Sequence, residues 1–216
     1  VSLLLIIQPD IGQTFLIVFS WAVLIFTSGI NIFFLFGLSL VVIVFLTYLI
    51  LYVPKFDYIQ GRIFSFFNRE TGTHNFQSDK AIESITSGGF FGKGIGEGTL
   101  KNRVPEAHTD YIISVISEEF GIIAIILILL LFLILAYSVF KKINFENEER
   151  TKLVLVGCTS LILMQAMIHI GVNIRLLPTT GMTLPFISYG GSSIISISIL
   201  SGIILNFTKR NLNQNE

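Results

Sequence analysis

The sequence predicts an all-α polytopic membrane protein, a helical bundle with one long outward-facing loop. Three observations predict it. Just over half of the 216 residues are apolar, and mean hydropathy is +0.78. Only 13% are charged, where a soluble domain carries about 25%; a charge at the bilayer centre costs several kcal/mol, so a lipid solvent selects against it. The apolar residues gather in five runs, each near the roughly 20 residues that a helix needs to cross the hydrocarbon. Helix is the element to expect, because an open strand edge in lipid leaves backbone groups unpaired.

The chain opens at Val1 inside an apolar run, 1–7, which reads as the end of a further helix cut by a truncated N-terminus. That run lacks the basic flank and small-residue cleavage site of a signal peptide. Gln8-Pro9-Asp10 then leads into the first span, 11–30, with Asp10 or Thr14 suited to cap it. A tight turn at 29–32 joins it to the second span, 33–53. Residues 54–110 form the long polar loop, and the remaining spans are 111–140, 153–175 and 188–208. The short segments 141–152 and the tail carry Lys141, Lys142, Arg150, Lys152, Lys209 and Arg210, whereas 176–187 has no Lys or Arg. The positive-inside rule puts the basic side in the cytoplasm and the long loop outside, although that loop carries Lys55 and Arg103 near the spans.

Fourteen basic and fourteen acidic residues cancel, so net charge argues neither for nor against nucleic acid, and no basic–aromatic nucleic-acid pattern occurs. The single Cys158 permits no disulfide within the chain. No H-E-x-x-H, C-x-x-C or G-x-S-x-G motif is present.

Four stretches carry candidate chemistry. Ser87 to Thr99 holds six glycines in eleven residues around Lys93. Such backbone can cradle phosphate or fold tightly upon itself, but it matches neither Walker A nor G-x-G-x-x-G. Pro105-Glu106-Ala107-His108-Thr109-Asp110 stands directly before a span, so Asp110 is either its cap or a reactive carboxylate at the membrane mouth. Asp110, Ser114, Ser117, Glu118 and Gly121 share one helix face. Glu118 and Glu119 lie about two turns into the membrane, where a carboxylate must be paired or face water. Gln165, His169 and Asn173 recur every four residues, with Arg175 beyond, and make either interhelical hydrogen bonds or a lined cavity. Residues 177–193 combine prolines and glycines in an uncharged stretch, backbone that survives in a membrane where it is buried in protein or lines a cavity. Ser188, Ser192 and Ser196 suit close helix packing.

These stretches resemble the FtsW/RodA/SpoVE (SEDS) family of peptidoglycan glycosyltransferases. The resemblance runs in order over nearly the whole chain: Gln8-Pro9-Asp10-Ile11-Gly12, the Ser87–Gly94 loop, Pro105 to Asp110, Glu118-Glu119-Phe120-Gly121, and Leu177-Pro178 through Gly181-Met182-Thr183-Leu184-Pro185-Phe186-Ile187-Ser188-Tyr189-Gly190-Gly191-Ser192-Ser193. Gly96 to Lys101 and Gly171-Val172-Asn173 are more similar to its division branch, FtsW, than to RodA. The resemblance implies polymerisation of lipid II, an undecaprenyl-diphosphate-linked disaccharide, on the outer face of the bacterial cytoplasmic membrane, at the septum. It implies a monofunctional transpeptidase (a class B penicillin-binding protein) and other division proteins as partners, and a fold of about ten spans of which this chain is the C-terminal half. Asp110 maps onto the family's essential aspartate and would be the catalytic base. Lys93, Arg103 or Arg175 would stabilise the diphosphate, alone or with a divalent cation such as magnesium or manganese. His108, Glu118 and Ser188 complete the implied substrate-binding set. Tyr111-Ile112-Ile113 departs from the family's more usual Phe-Ile-Phe. A lipid II transporter and a non-catalytic division scaffold stay open as other functions.

Overall fold

The computed structural model describes residues 10–67, 73–99 and 104–210, together with Leu5 and Gln8. Every regular element in this range is helical. The helices are α1 (Ile11–Thr27), α2 (Ile32–Tyr52), α3 (Asp57–Phe67), α4 (Thr73–Gly88), α5 (Ile112–Phe145), α6 (Glu149–Asn173) and α7 (Gly191–Arg210), with a 3-10 turn at Pro54–Phe56. Four are long and apolar enough to cross a membrane, namely α2, α5, α6 and α7 as far as Lys209, and α1 is a shorter apolar helix. The chain is an integral membrane protein.

Local chemistry explains where the helices begin. The Asp10 carboxylate accepts the Gln13 amide at 3.0 Å and caps α1, and Asn31 does the same for α2 through Phe33. α2 is apolar all round and none of its central window is buried, so lipid or a further part of the protein is its solvent. The stretch 54–110 is no open loop: α3 and α4 fold within it, and α4 packs along α5. α6 is the central helix, in contact with α1, α4, α5 and α7. Two apolar layers flank it. Tyr111, Val115, Ile168, Val172 and Met182 fill one end, and Val139, Leu155, Ile162, Ile197 and Ile204 the other.

α5 is broken at Gly121, whose φ of 76° lies outside any helix. The glycine-rich segment that follows α4 occupies the break. Lys93 N–H donates to the Glu118 carbonyl at 2.8 Å, Gly94 N–H to Glu119 at 3.1 Å, and Ile122 N–H to the Gly89 carbonyl at 3.0 Å. These bonds satisfy backbone groups that the interrupted ladder releases. The approach leaves no room for side chains: a Cβ on Gly92 would stand 2.2 Å from the Glu119 carbonyl oxygen, and one on Gly121 2.1 Å from that of Phe90. Beyond the break, 122–145 is roughly 36 Å long at 1.5 Å per residue, enough to span the hydrocarbon.

Candidate functional site

Asp110 stands where the stretch 54–110 meets α5. A turn places it there. Glu106, at φ 55°, offers its carbonyl to the amides of Thr109, Asp110 and Tyr111 at 3.1, 3.1 and 3.3 Å. The N-cap of α5 is Tyr111, and no side chain caps the helix. Asp110 is therefore no capping residue. Among the described residues no hydrogen bond reaches its carboxylate oxygens. Burial, reinforced by the Glu106 carboxylate, raises the Asp110 carboxyl above its ordinary value of 3.8, against the opposing pull of the Arg62 guanidinium.

The wall facing this carboxylate is the stretch between α6 and α7. A Cβ on Gly181 would lie 3.5 Å from Asp110 Oδ2, and Gly181 adopts φ 69°; a glycine here leaves the approach to the carboxylate open. Three bonds tie this stretch to the Asp110 turn and its neighbours. Ser188 Oγ donates to the Thr109 carbonyl at 2.7 Å, Tyr189 N–H donates to the His108 carbonyl at 3.0 Å, and Arg62 Nη1 donates to the Thr179 carbonyl at 2.8 Å. Behind Gly181 a cavity of about 610 Å³ opens between α1, α6 and α7, lined by polar Gln13, Gln165, Thr183, Ser193 and Ser196 among others. Gln165 Nε2 donates to the Thr183 carbonyl at 2.9 Å, and Thr183 Oγ1 to Ser193 Oγ at 2.7 Å. Gly181 thus belongs both to the cavity wall and to the surroundings of the one uncapped carboxylate at the head of α5.

The family model described as "Cell cycle protein", FtsW/RodA/SpoVE, matches residues 1–213. The chain belongs to the FtsW/RodA/SpoVE family. It is 38% identical over 210 residues to a probable peptidoglycan glycosyltransferase FtsW of Caulobacter vibrioides, covering 96% of this chain and 52% of that protein. A probable peptidoglycan glycosyltransferase FtsW of Enterococcus hirae is 31% identical over 227 residues, covering 99% of this chain and 57% of the relative. A solved structure of a peptidoglycan synthase complex, described as coordinating polymerization and crosslinking, superposes with a TM-score of 0.74 at 25% identity, over 96% of this chain and 58% of that one. The chain spans about half the length of the curated relatives it matches.

Within this FtsW/RodA/SpoVE fold the residues singled out by sequence separate into two groups. Asp110, His108 and Ser188 come together at the α5 entrance. His108 is exposed, while Ser188 is only 3% exposed and is occupied as a staple, accepting the Leu184 amide at 2.8 Å. Lys93 and Glu118 form a different cluster. Glu118 has 0% exposure and accepts from Lys93 Nζ at 3.1 Å, from the Thr99 amide at 2.9 Å and from Ser84 Oγ at 3.2 Å. The lysine of the glycine-rich segment and the amides of Lys93, Gly94, Gly96 and Thr99 bond to Glu118 and Glu119 of α5. Arg175, at φ 58°, pairs with Asp79 of α4. Arg103 lies outside the described residues. Among the described residues no group of three or more His, Cys, Asp and Glu side chains comes together, so the described carboxylates Asp110 and Glu106 do not by themselves make a cation cage.

Sequence reasoning missed Arg62 and Gly181. Nothing in Gln60-Gly61-Arg62 announces a partner beyond its own helix. Gly181 gave a weak signal, as a glycine in an uncharged stretch between two spans.

Proposed function

We propose that this chain is the C-terminal part of a lipid II polymerase, a peptidoglycan glycosyltransferase of the division type. The observation that carries this reading is the half-buried Asp110 carboxylate, uncapped, with its pKa raised and Gly181 opposite. A general base needs a free carboxylate within reach of a hydroxyl and a pKa lifted toward neutrality. In this reading Asp110 takes the proton of the acceptor sugar's 4-hydroxyl as that oxygen attacks the donor's anomeric carbon. The bond from that carbon to the phosphate oxygen breaks, and the diphosphate leaves with the electron pair. Arg62 is a cation close enough to act on Asp110 and is suited to the leaving group's charge. The cavity behind Gly181 offers hydroxyl- and amide-lined space for sugar.

The site faces the outer side of the bacterial cytoplasmic membrane in this reading, at the septum, with a monofunctional transpeptidase and other division proteins as partners. The similarity to a structure of a peptidoglycan synthase complex supports the pairing. The test uses the full-length protein with its transpeptidase, given labelled lipid II in proteoliposomes. Glycan strands are the expected product. Movement of lipid II between leaflets with no polymer would replace this reading with a transporter.

A further inference from the structure

We infer that Asn173 and His169, one turn apart on α6, are positioning residues for Asp110, an inference that rests on the catalytic reading above. Both are essentially sealed from solvent, at 0% and 1% exposure. Asn173 Nδ2 donates to the main-chain carbonyl of Asp110 at 3.0 Å and to the His169 carbonyl at 2.9 Å. His169 Nδ1 lies 2.7 Å from the carbonyl of Met182. A carbonyl only accepts, so Nδ1 carries the proton. Nε2 is then the bare nitrogen and lies 3.3 Å from Asn173 Nδ2, whose two hydrogens are shared among this nitrogen and the two carbonyls, while Asn173 Oδ1 has no partner among the described residues.

One helix end thereby holds two separate main-chain points. Asn173 holds the residue that bears the carboxylate, and His169 holds the residue next to Gly181, which faces it. α6 thus helps to set the distance between the base and the wall opposite, together with the direct bonds from Ser188 and Tyr189 to the Asp110 turn. Neither side chain touches the Asp110 carboxylate, so neither is catalytic. A displacement of about 1 Å in such a frame costs roughly 100-fold in turnover, with little change in ground-state binding. Ordinary interhelical hydrogen bonds, by contrast, would affect only how well the bundle holds together.

The experiment measures kcat and KM for lipid II polymerisation by the full-length protein with its transpeptidase, alongside thermal unfolding in detergent. The variants are Asn173→Leu, His169→Leu and His169→Asn, with Asp110→Asn as reference. An asparagine amide at 169 restores a donor near the position of Nδ1. We expect Asn173→Leu and His169→Leu to lose about 100-fold in kcat with KM within about threefold, and His169→Asn to recover most of the loss. Wild-type kcat in both leucine variants overturns the positioning role. If Asn173→Leu fails to fold, the His169 pair decides: recovery in His169→Asn supports the inference, and equal loss in both contradicts it. Normal turnover in Asp110→Asn would instead remove the catalytic reading itself.

Discussion

Lys93 Nζ lies 3.1 Å from a carboxylate oxygen of Glu118, and the two ends of this ion pair sit in unlike surroundings: the lysine side chain is 34% exposed, the glutamate 0%. Removing either partner therefore has unequal consequences. Lys93→Met strands a buried carboxylate and should cost about 3–5 kcal/mol. Glu118→Gln leaves an ammonium that water can reach, keeps an acceptor for the Thr99 amide, and should cost about 1–2 kcal/mol. Thermal unfolding of the two variants in detergent checks the order; equal losses would mean that the pair contributes nothing specific.

The clasp around the α5 break makes a second prediction. Gly92→Ala forces a Cβ to 2.2 Å from a backbone oxygen at φ 78°, so backbone must move, and we expect a loss of several kcal/mol or failure to fold. Gly61→Ala is the contrast. It lies inside α3 with nothing within 4 Å of its Cβ position, and should stabilise by about 0.5–1 kcal/mol. Expression level and melting temperature of the two variants should move in opposite directions.

The helical, membrane-embedded character was legible in the sequence because lipid imposes one solvent on every apolar run. Hydropathy does not report tertiary pairing. The helices α3 and α4 were hidden in what reads as a polar loop, since short helices with mixed faces give a weak periodic signal. Asp110 stood out beside a span, but whether it caps α5 depends on backbone angles at Tyr111 that composition does not encode. The glycine-rich segment reads as unusual backbone and adopts it, with positive φ at Gly89, Gly92, Gly94 and Gly96; its partner, the break at Gly121, reads locally as an ordinary helical glycine. Arg62 is invisible in sequence because the Thr179 carbonyl that it bonds and the Asp110 carboxyl on which its charge acts lie far along the chain. The resemblance to the family located Asp110 and left its setting to be found.

Turnover should depend on pH with a sign that two neighbours tune oppositely. Burial first, and Glu106 second, raise the Asp110 carboxyl above 3.8, while Arg62 lowers it. The base works ionised, so activity falls as pH drops through the raised value. Glu106→Gln should shift the acidic limb of kcat/KM to lower pH, and Arg62→Gln, which keeps a donor for Thr179, should shift it higher. Shifts in the same direction would contradict the electrostatic account.

The same carboxylate should weaken the fold. A carboxyl whose folded pKa is raised contributes stability below its ordinary value and loses it as pH rises through the raised one. Above that raised value, ionised Asp110 therefore destabilises the native state. Asp110→Asn should melt at a higher temperature than wild type near neutrality, with the difference shrinking in acid. A variant that melts lower at pH 7 would mean that the carboxylate has a stabilising partner.

Tyr111 offers a quieter gain. Its side chain is 2% exposed, and its hydroxyl has no hydrogen-bond partner among the described residues. Burial first, and Asp110 second, push the phenol up to about 12, so it stays neutral at physiological pH. Tyr111→Phe removes a buried unsatisfied group and should stabilise by about 1 kcal/mol, read as a rise in melting temperature. A fall would show that the hydroxyl is bonded in solution.

The central claim is that Asp110 is the base of a lipid II polymerase, and one comparison tests it most directly. Wild type and Asp110→Asn, each full-length and purified with the transpeptidase, are given labelled lipid II, and polymer and bound substrate are measured together. The account predicts glycan strands from wild type and at least about a 100-fold lower rate from the variant, with lipid II still bound. Polymerisation by Asp110→Asn at the wild-type rate would contradict it.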